Sequence, residues 1–131
     1  LGKIPGVGPY TASAVASIAF DEPIAAVDGN VLRVVSRLAC VRGGGDVTKP
    51  GTSAGKACKA VADALLCAER PGDHNQAMME LGATVCTPRN PKCGECPVAS
   101  MCASRALELE EEANVITAGK EPFRVTDLPE K

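Results

Sequence analysis

Four of the seven cysteines in this 131-residue sequence fall within one short stretch: Cys86, Cys93, Cys96 and Cys102, with gaps of six, two and five residues. No other feature limits the fold so tightly. Pro88, Pro91, Gly94 and Pro97 break regular helix or strand across the same stretch, so it must fold around something other than an apolar core. An odd cysteine total without secretory features speaks against a disulfide framework and for metal ligation in a reducing compartment. Spacing alone leaves two occupants open. Zinc sites usually pair their ligands as two short Cys-x-x-Cys knuckles, and only Cys93 and Cys96 form one here. An iron–sulfur cubane takes one thiolate at each of four corners, which a single loop with uneven gaps can supply. Four unligated thiols this close together would oxidise. The same loop carries Arg89 and Lys92, with Arg105 just beyond, against one acid, Glu95. That local basic surface suits phosphate contacts and is equally what a solvated face looks like.

The rest of the sequence reads as helices. Hydrophobic residues make up 45% and charged residues 23%, which places the chain among globular domains and excludes wholesale disorder. Aromatics at 2% exclude a base-stacking platform, and the net charge of −2 excludes a uniformly basic nucleic-acid coat. No apolar run reaches the roughly 18–20 residues of a membrane-spanning helix. Gly6-Val7-Gly8-Pro9 is a tight turn with Pro9 fitted to open a helix over Tyr10–Phe20. Asp28 is placed to cap a second helix carrying Val31, Val34, Val35 and Leu38. A third helix is expected over Ala54–Ala68, with Ala57, Val61, Ala64 and Leu65 inward, ending before Pro71-Gly72. Asp73 is expected to cap a fourth, with Ala77, Met78, Leu81 and Val85 on its apolar face. His74 reads as a surface residue at that helix start. Cys40, Cys58 and Cys67 read as small buried apolar residues. Glu108, Glu110, Glu111 and Glu112 form an acidic, solvated helix end. From Ala113 onward Val115, Ile116, Phe123, Val125 and Leu128 are too scattered for a core, and the segment reads as a linker. The fold class is all-α. The start at Leu1-Gly2-Lys3, with a hairpin turn as the first signal, reads as the interior of a longer protein.

Two features carry candidate chemistry besides the cysteines. Backbone amides in a glycine turn that opens a helix form a natural phosphate site, which makes Gly6, Val7 and Gly8 candidate phosphate contacts. A carboxylate at a helix N-terminus interacts favourably with the helix dipole, and Asp28 fits that description. Taken by itself, Asp28 is better explained as a plain helix cap.

Ile4-Pro5-Gly6-Val7-Gly8-Pro9-Tyr10-Thr11-Ala12, then Val27-Asp28-Gly29-Asn30-Val31, then the six, two, five cysteine spacing resemble the helix–hairpin–helix DNA glycosylase superfamily. Within it they are most similar to the adenine DNA glycosylase (MutY) family, and Asn75-Gln76-Ala77-Met78-Met79-Glu80-Leu81-Gly82-Ala83 adds to the likeness. The resemblance covers about residues 1–104. It implies a 4Fe–4S cluster on Cys86, Cys93, Cys96 and Cys102 in place of zinc. It implies double-stranded DNA with adenine opposite 8-oxoguanine or guanine as substrate, and a monomer as the working form. Asp28 would stabilise the oxocarbenium ion as the adenine–sugar bond breaks, with Tyr10 and Asn30 beside it. Arg89 and Lys92 would contact DNA, and the phosphates at Gly6, Val7 and Gly8 would be those of the DNA backbone. Bifunctional relatives of the endonuclease III branch carry a lysine where this sequence has Tyr10, which cannot form a Schiff base, so a monofunctional enzyme is implied.

The same resemblance places the general-acid glutamate before Leu1 and a Nudix-like domain after the sequence. Residues 1–105 then form the latter part of the glycosylase domain, with its cluster loop at 86–102. Residues 106–131 form the acidic helix end and interdomain linker, with Phe123–Pro129 starting the connector. On that basis these 131 residues alone hold a cluster at best moderately and release hardly any adenine. Residence would be the nucleus, with or without the mitochondrion, in a eukaryote, and the cytoplasm or nucleoid in a bacterium. Two other readings stay open at this level. One is an endonuclease III-like glycosylase/lyase, and the other a non-catalytic, metal-stapled DNA-binding module.

Overall fold

The structure, a computed structural model, describes residues 22–49, 51–113 and 123–130. The helix expected over Tyr10–Phe20 lies outside them, as do Gly6, Val7, Gly8, Tyr10, Val115 and Ile116. Among the described residues there are four α-helices and no strand: α1 (Gly29–Leu38), α2 (Ser53–Leu65), α3 (Pro71–Thr84) and α4 (Ala103–Ala113), with 3₁₀ turns at Cys93–Glu95, Ala99–Met101 and Val125–Asp127. None of these helices is long and apolar enough to cross a membrane.

Helix α1 is the hub, packed against α2, α3 and α4. Asp28 starts it as expected: its backbone is extended, and its side chain accepts a hydrogen bond from Val31 N at 2.8 Å. Such a cap satisfies an amide that the first turn would otherwise leave unpaired. Val31, Val34 and Val35 are buried, each stabilising the fold by about 1.5–3 kcal/mol relative to exposure. Around Val31 and Val35 the core is completed by Val47, Ala54, Cys58 and Ala62, with Met78 and Met79 packed against its edge. Between α1 and α2 the backbone runs through positive φ at Gly43, Gly44 and Gly45 (71°, 81° and 91°), a path that needs residues without a Cβ.

Several expectations are corrected. The buried face of α2 is Ala54, Gly55, Cys58 and Ala62, with Val61 half-buried, whereas Ala57 and Ala64 face water and Leu65 is 45% exposed. Alanines mark a helix face poorly. The face is set instead by Lys56, Lys59 and Asp63, which must stay solvated, and Lys59 and Asp63 pair at 3.0 Å on the outside. That helix stops at Leu65, short of Ala68. Pro71-Gly72 opens α3 and does not merely follow α2: Pro71 occupies the first turn, where a missing N–H costs nothing, and Asp73 lies inside the helix, paired with Arg70. Of the three outlying cysteines only Cys58 is buried; Cys40 is half-buried with φ at +50°, and Cys67 is exposed.

The largest correction concerns the end of the chain. Phe123, Val125 and Leu128 are buried, and Leu128 is 1% exposed. This strap, residues 123–130, packs onto the helices instead of being too scattered to join a core. Glu108 and Glu111 on α4 accept hydrogen bonds from the backbone amides of Val125 and Phe123, and Glu130 accepts one from Gly43 N at 2.7 Å. Arg42 lies over the Phe123 ring, 5.1 Å from its centre. Two of the acidic side chains expected in water are therefore acceptors for the strap.

Candidate active site and metal centre

The approach to Asp28 is fixed from α3. Asn75, 2% exposed, accepts from Ala26 N at 3.1 Å and donates to Ile24 O at 2.7 Å, so one buried amide aligns the extended chain entering α1. The carboxylate it delivers is half-buried and spends one oxygen on the cap. Asn30 stands in the next turn, against Gly82 of α3: a Cβ at Gly82 would lie 2.9 Å from Asn30 O. Helices α1 and α3 meet here without room for a methyl group.

Arg33 links this turn to the cysteine loop. It donates to Asn30 Oδ1 (2.8 Å), to Gly82 O (2.6 Å) and through Nε to Cys86 O (2.8 Å). Partial burial, reinforced by nearby Arg37, lowers its guanidinium pKa, while Cys86 and Asp28 act in the opposite direction. One turn on, Arg37 is 2% exposed and reaches Cys86 Sγ, Thr87 O, Pro88 O and Leu128 O. Neither arginine was singled out from sequence. The sequence carried no signal for them, because on a 3.6-residue period Arg33 and Arg37 fall opposite Val31 and Val35, the face a solvated role would also give them.

No residue from Cys86 to Cys102 is buried. The loop is held by short-range bonds, among them Lys92 N to Val85 O, Cys96 N to Cys93 O and Cys102 N to Ala99 O, and by the two arginines. Seventeen residues without one buried side chain lack the apolar core that would hold them in shape, which is the condition of a segment organised by metal. Burial pushes the Cys93 thiol up, with Arg105 opposing and Glu108, Cys102 and Cys86 adding. Burial likewise pushes up Cys102, with Cys86 and Cys96 adding. Cys102 thus lies within electrostatic reach of the other three cysteines. The Ser104 hydroxyl, buried two residues after Cys102, has no hydrogen-bond partner among the described residues. The donor set and the unfilled loop fit a sulfur-ligated metal group. Arg89 and Lys92 are exposed on the loop's outer side, and Arg105 faces Glu108 at 3.6 Å.

Residues 86–102 match the family model described as the iron–sulfur binding domain of endonuclease III. A solved structure, that of a thermostable thymine-DNA glycosylase, superposes with a TM-score of 0.64 at 32% identity, over 80% of this chain and 46% of that one. The helical core is similar to that of this DNA glycosylase, and the cysteine loop matches an iron–sulfur-binding module. The sequence narrows this further. It is 46% identical to the adenine DNA glycosylase of Arabidopsis thaliana over all of this chain and 19% of that protein. It is 47% identical to the adenine DNA glycosylase of Homo sapiens over 88% of this chain and 20% of that protein. The chain is a homologue of the adenine DNA glycosylases, and it spans about a fifth of the length of these two relatives.

Proposed function

We propose that this chain is the part of a base-excision repair enzyme that carries the sugar-facing carboxylate and the 4Fe–4S loop, and that its substrate is adenine opposite 8-oxoguanine or guanine in duplex DNA. The observation that carries this reading is Asp28. A half-buried carboxylate sits at the N-terminus of α1, two residues before Asn30, which Arg33 ties to the cysteine loop. Breaking the bond between adenine and C1′ leaves positive charge on the sugar and electron density on the departing base. A fixed carboxylate under the sugar stabilises that charge as it forms, as in glycoside hydrolysis. The base takes its proton from an acid, which the resemblance places before Leu1, and water adds at C1′ to leave an abasic site and free adenine. The base must first leave the duplex, at a cost of a few kcal/mol. Exposed Arg89 and Lys92 are suited to holding the phosphates meanwhile.

A four-iron cluster agrees with the thiol arrangement better than a single zinc. Zn–S bonds of about 2.3 Å would bring four sulfurs within roughly 4 Å of each other. Among the described residues, no three His, Cys, Asp or Glu side chains lie placed to hold one metal ion. When bound, the cluster would brace the loop that presents Arg89 and Lys92.

The test is Asp28→Asn in the full chain. Asparagine caps a helix as well as aspartate does, so stability should hold within about 0.5 kcal/mol, while adenine release from an A:8-oxoguanine duplex falls on the order of 100-fold or more. Asp28→Ala should show the same loss and also unfold about 1 kcal/mol more easily. Release by Asp28→Asn at near wild-type rate would reduce Asp28 to a cap. Preferential release of thymine from a T:G duplex would transfer the reading to the thymine-specific relatives.

A further inference from the structure

Arg37 joins stretches of chain that lie far apart in the sequence. Its guanidinium is buried, and its four hydrogen bonds go to two separate stretches of chain. Nη1 donates to Cys86 Sγ (3.4 Å) and Thr87 O (2.7 Å), and Nη2 donates to Pro88 O (3.2 Å), all in the cysteine loop. Nε donates to Leu128 O (2.9 Å), in the strap at the far end of the sequence. A buried cation is unfavourable unless an anion or a full set of acceptors meets it. Among these four bonds there is no carboxylate, so the anionic partner they offer is the sulfur of Cys86 once it is a metal-bound thiolate. An N–H···S bond to an ionised sulfur is stronger than one to a thiol. A second contact has the opposite dependence: Cys102 Sγ donates to Arg37 O at 3.5 Å, a bond only the protonated thiol can make. Two of the four cysteines therefore bear on this one residue.

We propose that Arg37 couples occupancy of the metal centre to docking of the 123–130 strap. With the cluster in place, the Cys86 thiolate holds the guanidinium fork, and its third edge holds Leu128 against α1. Loss of the cluster frees the loop that carries Cys86 Sγ, Thr87 O and Pro88 O, the fork loosens, and the strap is released. Coupling of this kind is reciprocal: a strap that cannot dock weakens retention of the cluster. The inference rests on the loop holding its iron–sulfur group and is independent of which base is excised. Arg37 is a positioning residue here, acting through Cys86 and Leu128.

Trypsin provides the readout. Arg124 is exposed but Val125 is buried, so the bond between them is protected while the strap is docked. In the full chain, stripping the cluster with ferricyanide and a chelator should raise cleavage after Arg124 by about tenfold or more, with cleavage after Lys59 on α2 unchanged. Conversely, Leu128→Ala in the loaded protein should speed chelator-driven decay of the cluster's visible absorption by about fivefold or more. Arg37→Lys keeps a charge but not the fork, and should move both readouts together. Should stripping also expose Lys59, the decay rate of loaded Leu128→Ala decides. Unchanged cleavage after Arg124 on stripping, or decay of Leu128→Ala at the wild-type rate, overturns the coupling. Absence of a visible band in the loaded wild type would instead overturn the metal-centre reading.

Discussion

Gly82→Ala sets two effects of opposite sign against each other, and the structure decides between them. In an exposed helix, replacing glycine by alanine stabilises by about 0.8–1.0 kcal/mol. At Gly82 the added methyl would stand 2.9 Å from Asn30 O, 3.0 Å from Asn30 Cβ and 3.2 Å from Asn30 C. Carbon atoms in comfortable contact sit about 3.5–4.0 Å apart, so α1 and α3 must separate by roughly half an ångström. Backbone cannot move aside as a flexible side chain would, and overpacking of this kind costs about 1–3 kcal/mol. The net expectation is a loss of about 1 kcal/mol, read in urea unfolding as a midpoint lowered by about 0.5 M at unchanged slope. Gly29→Ala on the same pair of helices is the control, because nothing lies within 4 Å of its added Cβ and the substitution should be neutral or stabilising. The strain at Gly82 also falls on Asn30 and on the carbonyl that accepts from Arg33, so base release should drop in Gly82→Ala and not in Gly29→Ala. A Gly82→Ala protein more stable than wild type, with base release intact, would refute the packing argument.

Two further outcomes are expected. Cys96→Ala should abolish the iron–sulfur absorption and leave the 86–102 loop open to proteolysis while α1–α3 keep their helical signal, since no residue of the loop is buried; full iron content in this variant would remove Cys96 from the ligand set. Burial lowers the pKa of His74 below its ordinary value of 6.5, where it lines an apolar groove with Met78, Leu81 and Met101. The unfolded chain therefore takes up the proton first as pH falls. The associated stability is complete above about pH 6.5 and is lost as pH drops towards the folded-state value. Thermal midpoints at pH 7.5 and 5.5 should converge in His74→Gln relative to wild type, and an identical drop in both proteins would exclude the histidine as the source.

The parts legible in the sequence are those with strong local signals. Asp28 precedes a clean run of Val31, Val34 and Val35, and proline and glycine exclude helix across the cysteines, so the cap and the irregular loop follow from short-range chemistry alone. The inward face of α2 did not, because an alanine-rich helix has small residues on every side and only Cys58 and the solvated lysines fix its rotation. Pro71 was ambiguous for a different reason: proline both follows helices and opens them, and the choice depends on tertiary packing. Phe123, Val125 and Leu128 show neither helical nor strand period, since the strap is held through backbone amides to Glu108 and Glu111 and a backbone carbonyl to Arg37. Backbone contacts between distant segments leave no pattern in residue type. The roles of Arg33 and Arg37 were missed for the same reason, as most of their acceptors are carbonyls.

Helix α1 is also a lever. Its ten residues span about 15 Å, with the carboxylate beyond one end and Arg37 near the other. A swing of only about 4° about the Arg37 end would carry Asp28 through about 1 Å, a misplacement that can lower a rate about 100-fold. On the role proposed for Asp28, a substitution beside the cysteines can silence chemistry at the opposite tip without touching a reacting atom, and variants in that neighbourhood should be judged by their rates as well as by their melting points.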